Sequence, residues 1–169
     1  MIKTAISGHY FTKITLCLLL TFLFHTGNVY PDTNKFEGEV LKYNIGFWLF
    51  KKVGTAIFKC EKDGDTLVVT IEACTEGFLD KIIHRHNIYK TTMLIDDITD
   101  RLKPINSYEK KVKRKKKRIM VTDYDYVNNM YNYKTWRRGV VHKEGSLKLG
   151  PKGCDDMISV SYNFRNEIY

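Results

Sequence analysis

The stretch VGTAIFKCEKDGDTLVVTIEAC, residues 53–74, is the part of the sequence that determines the fold. Its two halves, 53–60 and 66–74, are rich in β-branched and aromatic side chains, which favour strands. Between them lies Asp63-Gly64, a dipeptide that tolerates the positive φ angles of a two-residue hairpin turn. Alternate side chains then share one face of the hairpin. The predicted core face comprises Ala56, Phe58, Cys60, Leu67, Val69 and Ile71.

Strand patterns continue on both sides of this hairpin, with turns predicted at Asn128-Asn129 and Arg138-Gly139. Strands and helices do not alternate along the sequence, which argues against a parallel sheet. We therefore predict a mainly β domain, either a curved antiparallel sheet or an open barrel, built as a meander. The additional predicted strands are residues 40–48, 82–95, 105–112, 118–127, 130–136 and 140–143.

The last segment departs from this pattern and predicts a C-terminal α-helix. Asp155 or Asp156 can cap its start. The apolar residues that follow recur at helical spacing, as on one stripe of a helix. They are Met157, Val160, Phe164 and Ile168.

The first 27 residues have the layout of a secretory signal. A basic start containing Lys3 and Lys13 is followed by the uncharged run ITLCLLLTFLF, residues 14–24. As a helix this run spans about 16 Å, roughly half of a bilayer core, so it is too short for a permanent anchor. We predict a signal helix over residues 1–27 and one exported domain over 28–169; an uncleaved amphipathic anchor is the alternative.

The chain carries a formal net charge of +9, and its densest basic segment is KKVKRKKKR, residues 110–118. The simplest interpretation is a solvated hairpin tip between two strands. The alternative is contact with an anionic surface such as phospholipid headgroups, lipopolysaccharide or acidic glycan. The leader argues against a nucleic-acid partner. The candidate contact residues are Lys110, Lys111, Lys113, Arg114, Lys115, Lys116, Lys117 and Arg118.

Three cysteines follow the leader, an odd number that cannot pair completely within the chain. With Asp63-Gly64 as the loop, Cys60 faces Leu67 and Cys74 lies on the opposite side of the hairpin. That placement argues against a Cys60–Cys74 bridge, and the pairing that involves Cys154 stays open.

No motif of a catalytic or metal site stands out. The sequence has no Gly-x-Ser-x-Gly elbow and no glycine-rich phosphate loop. Asp96 and Asp97 are adjacent in sequence, so they face opposite ways in a strand and make a poor acid/base pair. His84 and His86 share one side of a predicted strand, but a metal there needs a third ligand. We expect no enzyme activity, no cofactor and no metal.

Aromatic side chains recur on the predicted strands. Tyr124 and Tyr126 share one strand face, as do Tyr131 and Tyr133. A concave sheet lined in this way can hold an apolar ligand, although the same residues also suit an ordinary core. The predicted ligand-binding residues are Tyr124, Tyr126, Tyr131, Tyr133 and Trp136.

Several of these segments together resemble the bacterial exported family labelled domain of unknown function 3108. Gly38-Glu39, an aromatic-containing strand and Gly54-Thr55-Ala56 resemble the opening of that family. An aspartate, Asp96 or Asp97, ahead of Leu102-Lys103-Pro104 resembles its middle. Its most specific stretch is Asp-x-x-Ser-x-x-Tyr-x-x-Arg. The residues that match this stretch are Asp156, Ser159, Tyr162 and Arg165.

The resemblance covers roughly residues 36–165. It implies a periplasmic or surface protein on a large, curved, antiparallel sheet, in a family where some members are similar to lipid or lipoprotein carriers. It brings no catalytic residues with it. Family domains continue with strands after the helix, whereas this sequence stops at Tyr169, so a fragment is one alternative.

The last four matching residues also have a direct physical interpretation, because threefold spacing makes them neighbours along one side of a helix. Tyr162 and Arg165 are predicted to hold that helix against the sheet; the alternative is a polar rim around a ligand cavity.

The expected function is that of a non-catalytic cell-envelope protein, in the periplasm or at the outer-membrane periphery, that binds an apolar or amphiphilic ligand. The alternative is a structural envelope protein that contacts anionic glycan or lipid through residues 110–118.

Overall fold

The structure is a computed structural model that describes residues 33–47, 50–96, 99–150 and 154–166. The predicted signal helix at 1–27 lies outside the described residues, as do Trp48, Asp97 and Ile168. Within the described ranges, no helix has the length and apolar character needed to cross a bilayer.

The described residues form eight strands in one antiparallel sheet, in which each strand pairs with the next along the chain. The sheet is curved and unclosed, since no pairing joins the first strand to the last among the described residues. The predicted antiparallel meander with a C-terminal helix is thus confirmed. The strands are β1 (Val40–Phe47), β2 (Phe50–Asp63), β3 (Thr66–Thr75), β4 (Arg85–Ile95), β5 (Leu102–Lys113), β6 (Lys116–Asp125), β7 (Met130–Arg137) and β8 (Val140–Lys148).

Within the described part of the chain, three helical segments accompany the sheet. A short 3-10 helix, Thr33–Phe36, precedes β1. Helix α1, Gly77–Ile83, lies between β3 and β4, and helix α2, Met157–Arg165, follows β8. Helix α2 begins at a capping box in which the Asp156 carboxylate accepts from the Ser159 backbone N–H, so the predicted helix start is confirmed.

The β2–β3 hairpin has the predicted core face in a shifted register. Its loop is Gly64-Asp65 rather than Asp63-Gly64, so Cys60 pairs with Val69 and not with Leu67. Only Gly64 of the two loop residues has a positive φ, 59°, which is the type II′ turn with glycine first. The register moves by two residues, and an even shift leaves every side chain on its predicted face.

The core lies against one face of the sheet, which we call the inner face. It holds the buried Cys60, Leu67, Val69 and Ile71 of the predicted set, and Phe58 packs beside them. The 3-10 helix and α2 cover this part of the sheet. The remaining core side chains are Phe36, Met93, Leu102, Ile158 and Tyr162.

The single strand predicted over residues 82–95 is wrong at its beginning. Ile82 and Ile83 end helix α1, and His84 then adopts the left-handed conformation with φ 41° while its N–H donates to the Asp80 carbonyl. This helix C-cap interrupts the extended chain, and β4 starts only at Arg85. His84 and His86 therefore do not share a strand.

The apolar stripe of α2 faces solvent instead of the sheet. Met157 is 63% exposed and Phe164 is 73% exposed, whereas the buried residues of this helix include Ser159 and Asn163. The face that packs on the sheet carries Ile158 and Tyr162 of the core, and Asn163 adds a pair of hydrogen bonds to the backbone of Leu102. Its N–H donates to Asn163 Oδ1 at 2.8 Å, and its carbonyl accepts from Asn163 Nδ2 at 2.9 Å.

Candidate functional site

A groove of about 310 Å³ opens on the inner face where the start of α2 lies beside β4, β5 and β6. Strand pairing brings Tyr89, Glu109 and Met120 into one row across these three strands. We call this feature the tyrosine groove. Its apolar and aromatic lining consists of Tyr89, Tyr108, Met120, Tyr124, Met157 and Ile158.

Both carboxylates of the tyrosine groove accept a hydrogen bond from a neighbouring side chain, and the buried phenol of Tyr124 is neutral. Glu109 accepts from Lys111 at 2.8 Å, and the Lys111 ammonium lies 5.4 Å from the centre of the Tyr89 ring. The Thr91 hydroxyl donates to Asp156 at 2.5 Å. Burial raises the pKa of Tyr124 to about 12, so its phenol stays protonated at neutral pH.

The basic segment 110–118 forms a hairpin tip, as predicted, with Arg114-Lys115 as the turn and Lys113 opposite Lys116. The tip is attached to α1, because the Arg114 N–H donates to the His84 carbonyl at 2.9 Å and its guanidinium donates to Ile82. Alternation along the strands divides the six basic residues outside the turn between the two faces of the sheet.

On the inner face the basic side chains of this hairpin are joined by an arginine from β7. Arg118 pairs with Lys111 on one side and with Arg137 on the other. A concavity of about 510 Å³, which we call the basic pocket, opens among these residues. Its inner-face cations are Lys111, Lys113, Lys116, Arg118 and Arg137.

A larger cleft of about 600 Å³ lies between α1 and the same hairpin tip. Only Ile82 and Ile83 supply apolar side chains there, and the rest of its lining is the basic stretch from residue 113 to 116. The tyrosine groove therefore has more apolar and aromatic residues in its lining than this cleft does.

The cations of the basic pocket raise the local electrostatic potential. The pKa of His142 on β8 is lowered below its ordinary value of 6.5, chiefly by the positive charge of the Arg137 guanidinium. Burial and the charges of Lys143 and Arg118 lower it further.

We expect Arg137→Gln to raise the pKa of His142, because a nearby positive charge disfavours the imidazolium. An NMR titration of the His142 ring measures this change. Lys90→Gln removes a charge from the outer face of the sheet and is the matched control. An unchanged pKa in the Arg137 variant would contradict the placement of these cations.

Three of the five predicted aromatic residues are brought together, and the other two lie elsewhere. Tyr124 lines the groove, and Tyr131 stacks on it at 6.3 Å with Tyr133 alongside. Tyr126 lies beyond the end of β6 and donates to the Pro104 carbonyl at 2.9 Å. Trp136 pairs with Ile119 and therefore lies on the outer face, which corrects its predicted place beside the tyrosines.

The sequence alone does not reveal Tyr89, Met120 and Met157 as groove residues, or Arg137 as part of the basic pocket. A two-residue loop at Asn128-Asn129 would pair Arg137 with Met120, whereas the observed pairing of Asp125 with Met130 places it opposite Arg118. Alternation along β6 and β7 can be recognised in the sequence. The length of the loop between them, which sets their pairing register, cannot be.

The histidines and cysteines among the described residues do not assemble into a metal site. His84 lies 3.0 Å from Asp80 and His86 lies 2.6 Å from Glu72, on separate elements. No group of three potential metal ligands occurs within the described part of the chain. Cys60, Cys74 and Cys154 are free thiols, and burial raises the pKa of Cys60 to about 12.

The end of α2 is held to the start of the domain by an ion pair. Arg165 donates to both carboxylate oxygens of Glu39, at 2.7 and 2.5 Å, and the Tyr162 hydroxyl donates to the same carboxylate at 3.3 Å. The guanidinium lies 4.8 Å from the Phe36 ring centre and 5.1 Å from that of Tyr162. We call this arrangement the terminal clasp.

A family model described as "Protein of unknown function (DUF3108)" matches residues 42–167, most of the chain. The chain belongs to the DUF3108 family. No curated protein and no solved structure matches it. The suspected family is thus confirmed. Its motif residues on α2 have structural partners here: Asp156 and Ser159 cap the helix, and Tyr162 and Arg165 form the clasp with Glu39, which lies just ahead of the matched residues.

Replacing Arg165 by glutamine is expected to lower the free energy of unfolding by about 1.5 kcal/mol at neutral pH, a modest loss because Arg165 is 38% exposed in its side chain. Hydrogen bonding from Arg165, and secondarily its charge and the Tyr162 hydroxyl, lowers the pKa of Glu39 below 4.5. Glu39 therefore stabilises the fold above about pH 4.5, and this stabilisation is lost as the pH falls through its folded-state value.

Urea denaturation of the wild type and the variant, at neutral pH and at about pH 3, measures both effects. The difference between the two proteins should shrink in acid. A difference that is unchanged in acid would contradict the clasp.

Proposed function

We propose that this DUF3108 protein is a non-catalytic, exported cell-envelope protein that binds an apolar or amphiphilic ligand in the tyrosine groove. The observation that carries the proposal is the groove itself, where aromatic rings and two methionines line a concave surface beside the core. Methionine adapts to irregular apolar ligands, and burial of apolar surface contributes about 25 cal/mol per Å².

The size of the groove favours a slender ligand. Its volume of about 310 Å³ is at the lower end of the range for small-molecule sites. A single acyl chain, or part of one, suits this space better than a bulky two-chain lipid.

A non-catalytic role is supported by the state of the polar groups in the groove. The two carboxylates of the lining, Glu109 and Asp156, already accept from Lys111 and Thr91, so neither is poised as a general base. The raised pKa of Tyr124 keeps its phenol from acting as a nucleophile at neutral pH. Export is supported by the basic start and apolar run of residues 1–27.

Solvent extraction of the purified protein, followed by mass spectrometry of the extract, tests the proposal. We expect a lipid-like molecule from the wild type and a much smaller amount from Met120→Gln, which makes the groove polar. Met130→Gln is the matched control, because Met130 lies on the outer face of the neighbouring strand. Extracts without any such molecule, or equal loss in both variants, would contradict the proposal.

The alternative function, contact with anionic glycan or lipid through residues 110–118, is favoured by the exposure of the hairpin tip from residue 113 to 118. It predicts an empty protein that binds anionic vesicles or acidic glycan in a salt-sensitive manner. Such binding without extractable ligand would replace the first proposal by this one.

A further inference from the structure

We infer that the tyrosine groove and the basic pocket together bind one anionic amphiphile, with its chain in the groove and a phosphate-type head group among Lys113, Lys116, Arg118 and Arg137. This inference rests on the proposed function, because it names the chemical class of the ligand that the groove takes.

The first support is the continuity of the two features along the same strands. The row Tyr89, Glu109 and Met120 lines the groove. The next inner-face row on β5, β6 and β7 contains Lys111, Arg118 and Arg137. Successive rows on one face of a strand are about 7 Å apart. A head group can therefore lie in the pocket while its chain occupies the groove.

The second support is the accumulation of unneutralised charge. Lys113 lies opposite Lys116, and Arg118 lies opposite Arg137. Like charges directly across two strands are destabilising. None of these four side chains has an ion pair with a carboxylate in the described ranges. A bound anion would relieve this repulsion, and the two guanidiniums match the geometry of phosphate oxygens.

The third support is the change in net charge at the boundary between the tyrosine groove and the basic pocket. Lys111 lines both the groove and the pocket, and its ammonium is neutralised by Glu109 at 2.8 Å. The net positive charge therefore begins beyond Lys111, at the end of the groove. A ligand with a neutral chain and one terminal anion matches this arrangement, because its chain meets the apolar groove and its anion meets the positive charge of the pocket.

Isothermal titration calorimetry with three probes tests the inference. The probes are lysophosphatidylglycerol, lysophosphatidylcholine with the same acyl chain, and glycerol 3-phosphate. We expect lysophosphatidylglycerol to bind at least about tenfold more tightly than the zwitterionic lipid. The soluble glycerol 3-phosphate should bind far more weakly than either lipid, because it has no chain.

Matched double variants locate the head group. Lys113→Gln/Lys116→Gln should reduce the affinity for lysophosphatidylglycerol at least about tenfold and leave lysophosphatidylcholine unchanged. Lys90→Gln/Lys110→Gln removes the same charge from the outer face and should change neither affinity. If the first double variant fails to fold, the wild type still decides: its preference for the anionic lipid should vanish at about 0.5 M salt.

The outcomes separate the inference from the proposed function. If neither lipid binds, the proposed function fails and the inference fails with it. If both lipids bind equally, or both double variants behave alike, the inference is overturned while the apolar groove stands. Equal binding of glycerol 3-phosphate and lysophosphatidylglycerol would show a free-phosphate site and would also overturn the inference.

Discussion

Replacing Gly54 by alanine is expected to destabilise the domain by about 3 kcal/mol. Gly54 is buried in β2 opposite Thr75, and a Cβ built on it would overlap the backbone carbonyl oxygen of Cys74. Because the backbone of β3 would have to move to make room, the strain cannot be relieved by a rotamer change. Urea denaturation followed by circular dichroism measures the loss.

The control for this prediction is Gly145→Ala on β8. The nearest atoms to a Cβ there belong to the side-chain end of Tyr133, which can rotate away. We expect a change of about 0.5 kcal/mol or less for the control. Equal effects of the two substitutions would contradict the close approach of β2 and β3 at Gly54. The prediction also gives a physical reason for the glycine of the Gly-x-Ala segment.

Replacing Asn163 by alanine should cost about 3 kcal/mol and detach α2 from the sheet. The Asn163 amide is fully buried and forms both hydrogen bonds to the backbone of Leu102. Without it, one N–H and one carbonyl are left buried and unpaired at the start of β5. Thermal and urea unfolding measure the loss, and hydrogen exchange of the Leu102 amide reports the local opening.

Asn132→Ala is the matched control for Asn163→Ala. Asn132 accepts from Ser146 at 2.5 Å on an exposed part of β7, where water can replace the lost partner. We expect a change of about 0.5 kcal/mol or less. A small effect at Asn163 as well would contradict the proposed role of its two hydrogen bonds in holding α2 to the sheet.

The sheet could be predicted from sequence because alternation survives errors of register. The β2–β3 loop was placed one residue too early, yet Cys60, Val69 and Ile71 are buried on the predicted face. An even shift preserves the faces, whereas the exact partners depend on the turn type. That type is set by the φ angle of Gly64, which the dipeptide Asp-Gly does not fix.

The packing of α2 could not be predicted from its apolar residues. The stripe that contains Met157 and Phe164 is exposed, while Asn163 is buried because it satisfies backbone groups of another element. Such a partner 61 residues away leaves no periodic signal in the helix. The clasp from Arg165 to Glu39 joins residues 126 positions apart, and only the resemblance to the family drew attention to both.

The candidate site was predicted in part. The basic hairpin tip and Tyr124 were found, but the inner-face grouping needed the pairing of four strands and the position of α2. Trp136 does not join the tyrosines, because its odd separation from Tyr131 and Tyr133 puts it on the other face of β7.

The position of the ligand in the tyrosine groove is tested most directly by methyl NMR of the methionines during titration with lysophosphatidylglycerol. Met120 and Met157 line the groove, Met93 is buried in the core and Met130 lies on the outer face. We predict that the methyl signals of Met120 and Met157 shift on binding while those of Met93 and Met130 stay in place. Shifts confined to Met130, or to the methyls of Ile82 and Ile83 beside the larger cleft, would contradict a ligand in the groove.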